Sequence, residues 1–277
     1  MKNFELRIVA QSALILLLVA SCATNPVTGR KQLNLVSADQ EMQLGLTSFE
    51  KMKKEVPISH DAAANALVQK VGKRIASVAE LPNAKWEFVV FDSKEANAFC
   101  LPGGKVGVYT GLLPISKDED GLATVIGHEV AHAVSHHGAE RMSEGMALQV
   151  GGQLLGAATQ SAKPITQTAV AAVYGLGGKL GYELPHSRKQ ESEADHIGLI
   201  YMARAGYNPE AAVDFWQRFS SFNEAHGGSK TPNFLRTHPV DEKRIQQIKD
   251  WLPEAKAQMR NASGKAPNDS GVIGRKK

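Results

Sequence analysis

Two histidines and a glutamate lie close together in one segment of this 277-residue chain, in the order His128-Glu129-Val130-Ala131-His132. On an α-helix, residues four apart lie one turn apart on the same face, so both imidazoles can reach a single metal ion. Glu129 lies about 100° around the helix from His128, where its carboxylate can accept a proton from a water on the metal. This spacing predicts a catalytic zinc site with His128 and His132 as ligands and Glu129 as the base. The alternative is a histidine-rich helix that binds metal adventitiously, because two more histidines follow at positions 136 and 137.

An acidic segment further along the chain offers the third protein ligand that a catalytic zinc site needs. Glu191 and Asp195 are four residues apart on a predicted helix, so they share a face. One of them can bind the metal while the other orients a ligand histidine through its free ring nitrogen. Glu193 lies about 200° from Glu191 and is expected to face elsewhere. The alternative for such a group is a solvated acidic face, and the preceding histidine motif makes that the weaker interpretation.

The segments that must position these residues are mainly helical. The helix that carries the histidines has an apolar body and begins at Asp118 or Asp120 as its N-cap. Capping residues, apolar periodicity and glycine or proline stops predict further helices over 37–55, from 61 to about 78, 190–204, 209–222, and from 239 to a point before Pro253. Alternation predicts strands over 86–90 and 105–110 as a hairpin-like unit, and the Gly/Ala-rich segment 145–181 is expected to be a helix followed by a flexible loop. The pattern predicts one α+β domain, mostly helical around a small sheet.

The N-terminus resembles a bacterial lipoprotein signal. Positive residues precede the apolar run Ile8–Ala20, which is too short for a comfortable membrane span. The run ends in small residues before Cys22, where a lipobox cysteine is lipidated. The alternative is an ordinary secretory signal with an incidental cysteine. Because Ala23 is not aspartate, lipoprotein sorting rules favour the outer membrane of a Gram-negative bacterium, with the mature chain facing the periplasm.

Several motifs in a fixed order resemble the HtpX and CAAX-prenyl-protease family of zinc peptidases, in its soluble bacterial lipoprotein branch. They are His128–His132, Glu191 with Asp195, Thr237-His238-Pro239 with Arg244, and Asn97–Gly104. The resemblance covers roughly residues 35–250. It implies a zincin-like fold and a gluzincin site of two histidines, one glutamate and one water. By position, Glu191 is the third ligand and Asp195 supports a ligand from behind, while His238 either stabilises the oxyanion or caps the zinc at rest.

These features divide the chain into four parts. We expect a signal peptide over 1–21, a tether over 22–36, a metallopeptidase domain over 37–258 and a disordered polar tail over 259–277. The net charge is only +4 and the one short basic run is at 275–277, so no nucleic-acid partner is expected. Cys100 is expected to be a free thiol that serves packing rather than nucleophilic chemistry.

Taken together, the sequence predicts a zinc-dependent metalloendopeptidase with one Zn²⁺ per chain, held by lipid at the periplasmic face of the outer membrane. Its expected substrates are unfolded or misassembled envelope proteins, paired as an added strand near Lys105–Tyr109. One alternative is a zinc-containing chaperone or assembly factor for outer-membrane proteins, in which His238 closes the site and peptidase activity is latent. A weaker alternative is a metal-buffering lipoprotein that uses His132 with the histidines at 136 and 137. The histidines at 136, 186 and 196 are otherwise expected at the surface or behind the ligands.

Overall fold

The structure is a computed structural model and describes residues 22–158, 187–226, 234 and 237–263. The expected signal peptide at 1–21, the loop expected within 159–181, and His186 lie outside the described residues. Across the described stretches, none of the helices combines the length and apolar character needed to cross a membrane.

The α+β class predicted from the sequence is confirmed. The longer helices are α1 Ala38–Glu55, α2 Ala62–Ala76, α3 Glu119–Val134, α4 His137–Ala158, α5 Arg188–Arg204, α6 Ala211–His226 and α7 Glu242–Ser263. The strands are β1 Cys22–Thr24, β2 Lys31–Leu33, β3 Glu87–Phe91, β4 Ala98–Leu101 and β5 Lys105–Tyr109. Two short helical turns, Thr110–Leu112 and Leu113–Ser116, lead from β5 into α3.

Side-chain caps fix where three of the helices begin. The hydroxyl of Ser37 accepts a hydrogen bond from the backbone N–H of Gln40, whose side chain in turn accepts from the Ser37 backbone. This reciprocal capping box starts α1. At α2 the cap is not reciprocal: the Asp61 carboxylate accepts hydrogen bonds from the backbone N–H groups of Ala63 and Ala64. Asp118, rather than Asp120, caps α3, because its carboxylate accepts from the backbone N–H of Gly121. These local signals were readable from the sequence, and the structure confirms them.

The main sheet has three strands in the order β3-β5-β4, which corrects the predicted hairpin-like pair. β5 runs parallel to β3 and antiparallel to β4. The tight turn is therefore between β4 and β5, where Gly103 and Gly104 adopt φ values of 83° and 79° that favour glycine. The prediction missed β4 because its four residues are too short a run for an alternation signal.

β5 is paired on both sides, so it cannot add a further strand. Its residues from Lys105 to Tyr109 pair with Glu87–Phe91 of β3, and the same strand also pairs with Ala98–Leu101 of β4. The predicted pairing of a substrate along Lys105–Tyr109 is therefore wrong. β4 is one of the two edge strands of this sheet; it packs against α3, and its outer edge carries no strand partner among the residues the structure describes.

Helix α7 continues past the predicted end before Pro253. Pro253 lies inside the helix and is exposed, while Ile248 before it and Ala255 after it are both buried in the core. Burial on both sides of the proline outweighs the lost backbone hydrogen bond, so the helix extends to Ser263. The tail expected from residue 259 thus begins with helix, and residues 264–277 lie outside the described part.

The segment expected to be a tether packs on the domain. β1 and β2 pair as an antiparallel hairpin, with Cys22 opposite Leu33. After this hairpin, the backbone N–H of Leu35 donates to the hydroxyl of Ser143 on α4 at 2.8 Å. Strand β2 itself packs against α4, so the hairpin, defined as residues 22–33, is in contact with a helix that lies beside the histidines.

Helix α3 lies at the centre of the core. Every residue from Gly121 to Val134 is buried, and α3 packs against α2, β4, α5 and α6. Its closest neighbour is α5, because two glycines face each other where the helices cross. A Cβ built on Gly127 would lie 2.9 Å from the carbonyl oxygen of Gly198, and one on Gly198 would lie 2.8 Å from the backbone nitrogen of His128. The two helices that carry the candidate ligands are thus held at the closest backbone approach that glycine allows.

Candidate metal centre

Four buried side chains converge at this crossing: His128 and His132 from α3, Glu191 from α5, and His238 from the segment before α7. One donor atom from each lies within 4.8 Å of all the others. The Nε2 atoms of His128 and His132 are 3.1 Å apart, and Glu191 Oε1 lies 3.2 Å from His132 Nε2. His238 Nδ1 lies 3.1 Å from His128 Nε2 and 2.9 Å from Glu191 Oε1.

These separations suit a single zinc ion. Zinc bonds to nitrogen and oxygen are about 2.0–2.2 Å long, which places tetrahedral ligand atoms about 3.3–3.5 Å apart. The four separations given above, 2.9–3.2 Å, are slightly shorter than this, and all four donor atoms lie within 4.8 Å of one another, so a single ion can contact each of them. Nitrogen and carboxylate donors in this ratio are typical of zinc rather than of calcium or magnesium. The structure therefore brings together the three predicted ligands, with His238 at the fourth position.

Asp195 and Arg244 lie behind His128. Asp195 Oδ1 is 2.9 Å from His128 Nδ1, on the opposite side of the ring from the ligand nitrogen. Arg244 donates two hydrogen bonds to the Asp195 carboxylate, at 2.5 and 2.8 Å, and its third nitrogen lies 2.7 Å from Glu191 Oε2. Burial opposes ionisation of Glu191, yet the positive charges of His238 and Arg244 hold its pKa well below the usual range. Asp195 therefore lies on the side of the His128 ring that faces away from the candidate metal position, and its support of a ligand stays a prediction.

A second group lies behind His132, and no sequence pattern predicted it. His137 Nδ1 is 2.8 Å from His132 Nδ1, and His137 Nε2 is 2.9 Å from Glu193 Oε2. Glu193 is 9% exposed and also accepts hydrogen bonds from Thr28 and Arg30 of the N-terminal hairpin. Glu193 does face away from the metal group, as its angular position indicated, but it contacts a ligand through His137. The sequence of α5, including its capping box at Ser187, does not predict this contact, because the partners of Glu193 come from distant parts of the chain.

Glu129 lies beside the ligands rather than among them. Its carboxylate is buried, and Oε1 lies 3.5 Å from His238 Nε2 with no hydrogen-bond partner in the described parts of the chain. Burial raises the pKa of Glu129 above its usual value, and the nearby His238 and His128 oppose that rise. A carboxyl group with a raised pKa can both take up and release a proton near neutral pH.

The remaining candidates lie outside the group. His136 pairs with Glu41 at 2.7 Å, and His196 pairs with Glu254 at 2.8 Å. Cys100 is a buried free thiol on β4, and burial, with a smaller contribution from the charge of Glu129, raises its pKa well above the usual range. A thiol with a raised pKa is a poor nucleophile, which agrees with the expected packing role.

Comparison with known proteins shows which family and which relatives this chain resembles. A family model described as Peptidase family M48 matches residues 62–252. The mitochondrial metalloendopeptidase OMA1 of Schizosaccharomyces pombe is 38% identical over 242 residues, covering 83% of this chain and 66% of that protein. Human mitochondrial OMA1 is 31% identical over 241 residues, covering 83% of this chain and 46% of its own length. The beta-barrel assembly-enhancing protease of Escherichia coli is 29% identical over 234 residues, covering 83% and 47%.

These matches refine the expected resemblance and correct the expected location. The relatives named above carry neither the HtpX nor the CAAX name, and this chain spans between about half and two thirds of their length. Six relatives from fungi, a plant and animals are named as mitochondrial proteins. The predicted placement at the periplasmic face of a Gram-negative outer membrane is therefore wrong. Lipidation of Cys22 is not tested by these matches and stays a prediction.

Proposed function

The chain belongs to peptidase family M48, and on that premise we propose that it is an endopeptidase that cleaves unfolded polypeptides. The family and the relatives named as metalloendopeptidases make the chain a hydrolase that acts on peptides, and zinc is its metal. The observation that carries the proposal is the buried group of His128, His132, Glu191 and His238 with the Glu129 carboxylate beside it.

In the proposed reaction, Glu129 moves the proton. When bound by His128, His132 and Glu191, zinc supplies Lewis-acid polarisation of the scissile carbonyl and lowers the pKa of a water to about 7. The Glu129 carboxylate takes the proton from the attacking water and passes it to the leaving amine. Its burial keeps competing water away from this transfer.

The substrate is proposed to bind along β4. β4 is the edge strand that packs against α3, so an extended segment paired to it would run beside Glu129 and the metal ligands. Main-chain pairing of this kind reads the backbone more than the side chains. It favours polypeptide segments that are already extended and free of their own structure.

A cavity at the end of β4 supports an unfolded substrate. It measures about 240 Å³ and lies between α1, the end of β4 and the start of α4. Apolar side chains line much of it, including Leu44, Leu101 and Met142. An unfolded protein exposes apolar side chains that a folded one buries, so such a cavity favours unfolded segments over native surfaces.

The biological role proposed is the removal of misfolded or misassembled proteins. An E. coli relative is named as an assembly-enhancing protease, which supports a role in which failed assembly products are cleaved. The enzyme would then recognise its substrates by their loss of structure and not by a particular cleavage sequence.

A second candidate is a zinc-containing assembly factor whose peptidase activity is latent. The observation that favours it is the position of His238, whose Nδ1 completes the set of four protein donors. A site with four protein ligands leaves no open position for water, and closed sites of this type are structural. The retained carboxylate of Glu129 argues for catalysis, because a structural zinc needs no base.

Cleavage assays on an unfolded and a folded substrate would test the proposal. The purified chain should degrade an unfolded casein-type substrate, and it should leave a tightly folded protein of similar size intact. A chelator should abolish cleavage, and added zinc should restore it. His238→Ala discriminates the two candidates, because cleavage that appears only in this variant would favour the latent assembly factor. Full cleavage in the presence of the chelator would rule out the zinc peptidase.

A further inference from the structure

The N-terminal hairpin reaches the metal centre through a chain of side chains. We propose that Arg30 positions the zinc ligand His132 by acting through Glu193 and His137, so that the hairpin is a part of the metal centre. This inference rests on the assignment of zinc to the site. Arg30 lies before residues 62–252, which the family model matches, so the match itself does not imply the role.

Each link in this chain is a short polar contact. Arg30 Nε donates to Glu193 Oε2 at 2.8 Å, and the hydroxyl of Thr28 donates to Glu193 Oε1. Glu193 Oε2 lies 2.9 Å from His137 Nε2, and His137 Nδ1 lies 2.8 Å from His132 Nδ1. The Nε2 atom on the other side of the His132 ring is the one that faces His128 and Glu191.

The direction of the hydrogen bonds from His132 through His137 to Glu193 selects the tautomer of His132 that can bind metal. An ionised Glu193 can only accept, so His137 must donate from Nε2. In neutral His137 the other nitrogen, Nδ1, is then an acceptor, and His132 must donate to it from its own Nδ1. That arrangement leaves the lone pair of His132 Nε2 free for zinc. A reversed arrangement would place the proton on Nε2, where it would exclude the metal.

Arg30 is itself fixed from two sides. Besides Glu193 on α5, it contacts Glu140 on α4 through two nitrogens, at 2.5 and 2.7 Å. Glu140 also accepts a hydrogen bond from the Gln190 side chain at 2.7 Å. The Arg30 side chain is only 14% exposed, so its charge and those of its two partners are largely removed from water. Loss of Arg30 would leave the Glu140 and Glu193 carboxylates without their shared cation, and Glu193 would no longer be held against His137.

The arrangement at His132 parallels the one at His128. There, Asp195 lies 2.9 Å from the ring nitrogen that does not face the metal, and Arg244 holds Asp195 by two hydrogen bonds. Each ligand histidine is thus backed by a carboxylate that an arginine holds, directly for His128 and through His137 for His132. Removal of such supports typically weakens metal affinity by about 10–100-fold.

Zinc affinity measured by chelator competition tests the role of Arg30. Arg30→Met and Glu193→Gln should each weaken zinc binding by about tenfold, and the double variant should be no weaker than the worse single variant. Arg30→Lys should restore part of the loss because it keeps the charge. The matched control is Arg204→Met, which removes an arginine–glutamate pair with Glu80 away from the site and should leave zinc affinity unchanged.

Two further readouts separate positioning from general stabilisation. The cobalt(II)-substituted Arg30→Met protein should show a changed visible absorption spectrum, because the spectrum reports ligand geometry. Thr28→Val removes one hydrogen bond at an exposed residue and should weaken zinc binding by a few-fold without loss of folding. Zinc affinity and a cobalt spectrum equal to wild type in Arg30→Met and Thr28→Val would overturn the inference, whatever the melting temperature of the metal-free protein. A wild-type chain that binds no zinc would overturn the proposed function as well, which distinguishes the two failures.

Discussion

Each ligand side chain at the metal centre is held by a side chain from another part of the chain. His128 is backed by Asp195 of α5, His132 by His137 of α4, and Glu191 by Arg244 of α7. A ligand whose ring or carboxylate is already oriented loses less freedom when the metal binds. We therefore expect the affinity of the site to depend on side chains that do not contact the ion.

The two acidic residues of α5 should differ in how much zinc binding they support. We predict that Glu191→Ala weakens zinc affinity by several orders of magnitude, because it removes a charged ligand. Asp195→Ala should weaken it by about 10–100-fold, because the ligands remain while the orientation of His128 is lost. Chelator competition measures both variants, with the exposed Glu254→Ala as the control. An Asp195→Ala protein that binds zinc more weakly than Glu191→Ala would contradict the assignment.

The residues that were readable from the sequence are those whose relation is local. His128 and His132, and likewise Glu191 and Asp195, are separated by one helical turn, so helix geometry alone places each pair on one face. Glu193 looked free for the same reason, since helix geometry says only that it faces another way. Its partners Arg30 and His137 come from the N-terminal hairpin and from α4, and no periodicity relates them to α5. Under the proposed support of His132, Glu193 affects zinc binding although it faces away from the metal group.

At the scale of elements, the crossing of α3 and α5 sets the spacing of the ligands. The contact of Gly127 with Gly198 lets the two backbones approach within a distance that a methyl group would prevent. His128 is next to one of these glycines, and Asp195 is three residues from the other. A change in this crossing would move the ligands of one helix relative to those of the other.

A methyl group at position 198 should damage both the fold and the site. Gly198→Ala would place a Cβ 2.8–2.9 Å from backbone atoms of Gly127 and His128, which cannot rotate away. We predict a loss of about 1–3 kcal/mol in the free energy of unfolding and weaker zinc binding. The control is Gly145→Ala in α4, where no atom lies within 4 Å of the new Cβ, and a helical alanine should gain about 0.5–1 kcal/mol. Denaturant unfolding measures the stability of both variants. A Gly198→Ala protein that is as stable as the Gly145→Ala protein, or more stable than wild type, would refute the role of the crossing.

The elements themselves were predictable to different degrees. Helices α1, α2, α3 and α5 carry caps and apolar periodicity within their own sequence, and the structure places them close to the predicted ranges. The order of the strands was not predictable, because the parallel pairing of β3 with β5 depends on how the chain crosses the sheet and not on either strand alone. The extension of α7 through Pro253 was likewise decided by packing against the core.

At the scale of the whole molecule, the metal centre joins parts of the chain that are far apart in sequence. His128 and His238 are separated by 110 positions, and Glu191 lies between them on a third element. An ion held by all of these elements stabilises the folded state over the unfolded one, in which the ligands are apart.

Removal of zinc should therefore lower the melting temperature. At a free zinc concentration of about 100 times the Kd, binding adds about 2.7 kcal/mol to the free energy of unfolding. For a domain of this size that corresponds to a shift of roughly 5–10 °C. Calorimetry with and without a chelator measures the shift, which zinc should reverse and magnesium should not, because magnesium prefers oxygen ligands. A melting temperature that is insensitive to the chelator would contradict a zinc site formed by His128, His132 and Glu191 in the folded state.

Glu129→Gln tests the central claim most directly, because it removes the proposed base while leaving every proposed metal ligand in place. The measurement is the kcat/KM for cleavage of an unfolded polypeptide, on wild-type and variant protein with zinc content determined on the same samples. We predict one zinc per chain in both proteins and a loss of about two to four orders of magnitude in kcat/KM for the variant. A zinc-loaded variant that cleaves within tenfold of wild type would show that Glu129 is not the base.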